Sequence, residues 1–281
     1  MTGMSAYEKT RGTGIFMAVL LLSVSLTPVQ AEPKGPDFTG VWGRDVHNYP
    51  KPYMSGGRNA TIKDGYNNEY LKPWVVEQLL RDNMVERSGH PTITAHSTCY
   101  PEGIPYVFGG AVVQMLQTPS EVTMLFGDSN NSRTIYLNRP HSSHVVPSWY
   151  GESVGHFEGD SLVVDTIGIA VNPQSGSMGF YGTPHTEALH VVERYRYLAD
   201  GEKSLAPPPK DDSFDASSVI AGGKILRLSF TLDDPGAFKK PWSVTLDFLP
   251  IKQRIREYAC AENVPDGALA PLLPTAAIPD F

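Results

Sequence analysis

Long apolar runs, cysteines and basic clusters are all scarce in this chain, and each shortage narrows what the protein can be. The longest apolar run, residues 15–26, has only twelve members, short of the about 20 that a membrane-crossing helix needs. It follows Lys9 and Arg11 and leads into TPVQA, with small residues at the cleavage positions. Residues 1–31 are therefore expected to be a secretory signal, with Ala31 the last residue removed. No twin-Arg pair accompanies it, so nothing points to export of an already folded, cofactor-loaded protein. Lys and Arg number 23 against 30 Asp and Glu, a net charge of -7. That balance disfavours nucleic acid and anionic membrane surfaces, both of which attract clustered cations. With two cysteines only and no CxxC, a redox dithiol is not indicated. In an oxidising compartment Cys99 and Cys260 are instead expected to form one disulfide, closing a loop worth at most roughly 4 to 5 kcal/mol. The sequence also lacks HExxH, a P-loop and GxGxxG, the short motifs of zinc proteases, NTPases and dinucleotide enzymes.

What is present is turn-rich and strand-like. The chain carries 26 Gly and 24 Pro, which favours many turns and few long helices. Residues 33–68, rich in Gly, Pro, Asn and Tyr, are expected to wrap the surface, apart from a short strand at FTGVWG. Val75, Val76, Leu79, Leu80 and Met84 recur at helical spacing after Pro73, which suits a first helical turn, so residues 73–86 predict one helix. Beyond it the period becomes two. Strands are predicted at 111–117, 121–126, 133–137, 154–157 and 161–169, the last two joined through Glu158-Gly159-Asp160. Two more are predicted over 225–232 and 244–248. Residues 187–198 also fit a helix, but Val, Tyr and Arg at the centre and Asp200-Gly201 just beyond favour a strand. Residues 207–218, with three prolines and several aspartates, read as a surface loop. Strands at hairpin spacing without βαβ alternation predict a single all-β domain over 32–281, mainly antiparallel, as a barrel or a sandwich.

The segments SVGHFEGDSLVVDT (153–166) and PHTEALHVVERYR (184–196), with CYPEGIP, RTIYLN, DDPGAFKKPW and EYACAEN in that order, resemble an uncharacterised family of exported bacterial proteins with lipocalin-like β architecture. The resemblance spans residues 38–263. It differs from the family pattern at Phe157, where Trp is usual, and at Thr186, where Ser is common. It implies a lipocalin-like β-barrel, to which the helix predicted at 73–86 is peripheral, and carries no mechanism with it.

Candidate chemistry rests on a few side chains. With 189–197 as a strand, Glu193 shares a face with Leu189, Val191, Tyr195 and Tyr197. An unpaired carboxylate there would be poised for acid-base work. The alternative is a structural ion pair with Arg133 or Arg227. Asp165 shares a face with Val163 and Ile167, which suggests a second inward acid. His185, after a Gly-Thr-Pro turn, is expected at a barrel mouth, where loop residues often act. Its convergence with Glu193, eight positions on, requires residues 184–187 to fold back. His141 and Trp149, with Arg133 and Tyr195, are candidate substrate contacts. His141, His144 or His185 could hold a metal with a carboxylate, although no ligand signature is present. Gly151 to Gly155 spells GxSxG, but the flanking strands do not suit a nucleophile elbow at Ser153. The expected function is an exported enzyme, without an organic cofactor, that performs lyase, isomerase or hydrolase chemistry on a hydrophobic or aromatic small molecule bound in a pocket of the barrel. The rivals are a carrier with the same pocket and a metal-dependent enzyme.

Overall fold

The structure is a computed structural model and describes residues 35–44, 70–88, 99–110, 112–127, 131–171, 183–205 and 216–257. The expected signal segment 1–31, most of the wrapping segment, the loop core 207–215 and Cys260, with the Cys99–Cys260 pairing, lie outside the described residues.

Among the described residues nine strands follow one another around a closed barrel. They are β1 (Gly40–Gly43), β2 (Val112–Gln117), β3 (Glu121–Phe126), β4 (Ser132–Leu137), β5 (Glu152–Glu158), β6 (Ser161–Ile167), β7 (His190–Tyr197), β8 (Leu226–Asp233) and β9 (Trp242–Pro250). Strand β9 returns to β1 through Trp42↔Pro250 and Gly43↔Leu249, so no edge is left to aggregate. An all-β barrel with one α-helix is thus the architecture of the described residues. The alternation that predicted β8 is seen directly: Leu226, Leu228, Phe230 and Leu232 are each no more than 1% exposed, while the residues between them face outward.

One neighbouring pair departs from the antiparallel pattern. Strands β4 and β5 run parallel, with Ile135 opposite Ser153 and Leu137 opposite Gly155. A parallel pair needs a connection that carries the chain back along the strand length. Residues 138–151 do this along the outside of the barrel. Ser148 N donates to Gly168 O at 3.0 Å and Ala170 N donates to Ser148 O at 2.8 Å. Gly168 has φ 70°, and a Cβ on it would stand 2.4 Å from Val145 Cγ1, so glycine is required for the crossover to lie this close.

The helix, α1 (Pro73–Arg87), buries Val75 and Leu79 in the same core as the strands. It is fixed to the β8–β9 loop: Lys72 N donates to Ala237 O at 3.0 Å, and Trp74 Nε1 donates to Gly236 O at 2.8 Å. A 3-10 turn, Tyr106–Gly109, is buried throughout and lays Phe108 against Phe230, with ring centroids 4.9 Å apart.

Candidate functional site

Strand β7 alternates as expected, which puts Glu193 on the inner face at 0% exposure. It is not unpaired there. Arg133, from β4, meets it in a two-pronged bond, Nη1 to Oε2 at 2.8 Å and Nη2 to Oε1 at 2.6 Å. Tyr195 OH donates to Oε2 at 2.7 Å and Thr166 Oγ1 to Oε1 at 3.2 Å. The remaining Arg133 donors reach Ser153 Oγ and Thr166 Oγ1 at 2.8 to 3.0 Å. A carboxylate and a guanidinium out of water require this degree of saturation. Burial alone would lower the guanidinium pKa, but the adjacent Glu193 charge and its hydrogen bond outweigh that and raise it. Burial, and next the Glu193 charge, push the Tyr195 phenol well above its ordinary range. Of the two readings of Glu193, the geometry therefore matches the ion pair with Arg133. Arg227 instead faces outward, to Asp247 and Glu202. Arg133 and Tyr195, expected as substrate contacts, spend their polar atoms inside this group, as does Ser153, at 2% exposure. A small apolar cavity of about 10 Å³ adjoins Tyr195, between Met115, Met124, Phe126 and Leu228, which is room for about one water.

His185 is also buried, at 4% exposure. Its Nδ1 lies 3.0 Å from the Thr186 carbonyl oxygen. Burial lowers its pKa, against the opposing pull of that carbonyl and of Asp234. Asp234 accepts from Thr186 N and Thr186 Oγ1, both at 2.6 Å, and from Gly236 N at 2.9 Å. The motifs PHTEA and DDPGAF thus interlock at one end of the barrel. A Cβ on Gly236 would lie 2.4 Å from Thr186 Oγ1. His185 and Glu193 belong to separate hydrogen-bonded groups, and no bond joins them among the described residues.

Asp165 departs from expectation in a way that matters more. It faces outward, not inward. Strand β6 is apolar on both sides: Leu162 and Val164 are 0% exposed inside, and Val163 is 9% exposed outside. Side-chain pattern alone could not say which set faces in. The register settles it, because Val164 lies opposite the inward Glu193 and Asp165 opposite the outward Val192. His190, two positions before Val192, is the diagonal outer-face neighbour of Asp165. Its Nε2 is 2.7 Å from Asp165 Oδ2. From the crossover above, His141 Nε2 is 2.8 Å from Asp165 Oδ1, and His141 Nδ1 is 3.3 Å from Glu152 Oε1. Ser142 closes the group, donating to Glu152 through N and Oγ, each at 2.6 Å. A continuous chain results: Glu152, His141, Asp165, His190.

The site is open to solvent without being loose. Side-chain exposures are 21% for His141, 41% for Asp165 and 40% for His190. Partial burial tends to raise the Asp165 pKa, but the bonds from His141 and His190 override it and hold the carboxyl below its usual range. Because a carboxylate only accepts, the His190 nitrogen facing it carries hydrogen, and the neutral ring's lone pair is then on Nδ1. That Nδ1 has no hydrogen-bond partner among the described residues. Trp149 stacks on Tyr100 at 5.4 Å and takes no part in the chain of bonds, and His144 is exposed. Among the described residues no group of three or more His, Cys, Asp or Glu has the arrangement of a metal site.

Of the expected residues, the structure thus joins His141 to Asp165 and leaves His185, Glu193 and Trp149 elsewhere. In the sequence His190 reads only as part of the 187–198 strand, and Glu152 only as part of the Gly151 to Gly155 turn. Their one signal was their place at the ends of strands flanking Asp165, which carries meaning only once the pairing register is known. No family model, no curated protein and no solved structure matches the chain.

Proposed function

We propose that the protein is an enzyme of general acid-base chemistry, working at the outer His141–Asp165–His190 group with His190 as the residue that exchanges a proton with substrate. The observation that carries this reading is the state of His190: one ring nitrogen bound to Asp165 at 2.7 Å, the other without a hydrogen-bond partner among the described residues, on a side chain 40% exposed. A carboxylate that fixes the orientation and tautomer of an imidazole is the arrangement by which histidine serves as base and then acid. Such transfer is worth typically 10²- to 10⁴-fold in rate. The reaction class is proton-transfer chemistry, namely elimination, isomerisation or hydrolysis, and none of it calls on an organic cofactor.

The substrate we propose is a small hydrophobic or aromatic molecule. Val192, directly opposite Asp165, is 36% exposed, so an exposed apolar side chain borders the proton-transfer group. The export signal, the periplasmic or secreted location, the Cys99–Cys260 disulfide and the kinship with lipocalin-like exported proteins belong to the same proposal and rest on the sequence. Incubating the purified mature protein with a panel of aromatic and terpenoid compounds, followed by mass spectrometry, tests it. Conversion of a compound with no added cofactor is the expected result. Compounds retained unaltered at a saturable site would instead make the protein a carrier.

A further inference from the structure

The crossover loop could reach β5 by many outer paths, yet it is pinned where His141 meets Asp165. Three bonds converge on one side chain at the start of β5: Ser142 N and His141 Nδ1 on Glu152 Oε1, and Ser142 Oγ on Glu152 Oε2. We propose that Glu152 is a positioning residue, a clasp that closes the crossover loop and thereby delivers His141 to Asp165, and that His190 keeps its own hold on Asp165 when the clasp is open. This deepens the acid-base reading and rests on it for its functional meaning; the clasp itself rests on geometry alone.

Several features support the assignment. Glu152 is outward on β5 opposite Ile167, so its carboxylate lies on the same face as Asp165 without touching it. Its side chain is 16% exposed, and the bonds from the Ser142 hydroxyl, then from the Ser142 amide, hold its carboxyl below the usual range. Hydrogen bonds to a charged group are the stronger kind. The loop is anchored before His141 by Asn138 N, which donates to Gly155 O at 2.8 Å, and after it by Ser148, bonded to Gly168 and Ala170. Between those anchors, the hydrogen bonds of the stretch bearing His141 run to Glu152 and, from His141 itself, to Asp165. His190 belongs to β7, whose ladder to β6 is independent of the loop.

The substitutions Glu152→Ala and Glu152→Gln separate the alternatives. Alanine removes all three acceptor contacts. Glutamine keeps them satisfiable, because its amide oxygen can replace Oε1 and its NH₂ can donate to Ser142 Oγ. Amide hydrogen exchange at Ser142 and the imidazole N–H resonances of His141 and His190 are the readouts, on the full mature chain. In Glu152→Ala, Ser142 exchange should accelerate at least about tenfold, as expected for losing a bond to a charged acceptor, and the His141 N–H signal should vanish while that of His190 persists. Glu152→Gln should restore both. Should Glu152→Ala not fold, Ser142→Ala supplies the same comparison with one bond removed. Unchanged Ser142 exchange and an intact His141 signal would overturn the clasp. Failure of the acid-base reading is distinct: the exchange pattern would hold while His190→Gln left turnover untouched.

Discussion

Replacing Arg133 by Met would leave the Glu193 carboxylate in the barrel interior with only the Tyr195 and Thr166 hydroxyls to bind it. Glu193 is 0% exposed and Arg133 3%, so no rearrangement of surface side chains can bring water to the orphaned charge cheaply. Breaking one side of a buried pair costs about 3 to 5 kcal/mol. For a domain of this size each kcal/mol moves the thermal midpoint by about 2 to 4 °C, giving a drop of about 6 to 20 °C. Thermal and urea unfolding of Arg133→Met, Glu193→Leu and the double variant form a cycle. Glu193→Leu strands the guanidinium and should also be costly, although Ser153 and Thr166 still accept from it. The double variant, with both charges gone and apolar volume in their place, should recover most of the loss, since an apolar replacement of a whole buried pair is often neutral. A loss below about 1 kcal/mol in Arg133→Met, the range of an exposed pair, would refute the claim that this group is sealed from water.

Two further outcomes follow from the barrel end and its buried histidine. Gly236→Ala places a Cβ 2.4 Å from Thr186 Oγ1, within the interlocked loops, and should cost about 1 to 3 kcal/mol, as overpacking does; Thr186→Ala should relieve much of that in the double variant, as measured by urea unfolding. For His185, burial makes the neutral ring the form preferred by the fold, so its contribution to stability is complete above the unfolded-state value of about 6.5 and is lost as pH falls below it toward the lower folded-state value. Stability measured at pH 7.5 and at pH 5 should therefore fall further in the wild type than in His185→Gln, and an equal fall in both would count against the assignment.

Much of the fold was legible because most strands show water only one face. In β7 and β8 the polar and apolar residues alternate cleanly, and Glu193 could be placed inside from its neighbours alone. Strand β6 resisted the same logic: SLVVDTI is apolar on both faces, and only pairing with β7 shows that Val164, not Asp165, points inward. The parallel β4–β5 contact was equally hidden, since turn signals report where a chain bends and not which neighbour it joins. The candidate site depends on both. His141 could be recognised as a loop histidine, but its landing place on Asp165 is fixed by the crossover, and His190 enters through a diagonal across two strands. The sequence offers Arg133 and Arg227 as partners of Glu193, and strand position decides between them: Arg133 lies on an inner face opposite Met124, while Arg227 lies on the outer face of β8 opposite Asp247.

The proposed proton transfer depends on His190 and on the Asp165 carboxylate that holds it. For a compound that the wild-type protein converts, kcat measured across pH for the wild type, His190→Gln and Asp165→Asn is the decisive comparison, with thermal midpoints recorded alongside. His190 is 40% exposed at its side chain, so neither substitution should disturb the core. His190→Gln should lower kcat at least about 100-fold, the lower bound for losing a positioned proton-transfer group, and Asp165→Asn should lower it comparably, with midpoints little changed. Conversion at the wild-type rate by His190→Gln would contradict the assignment of proton transfer to His190.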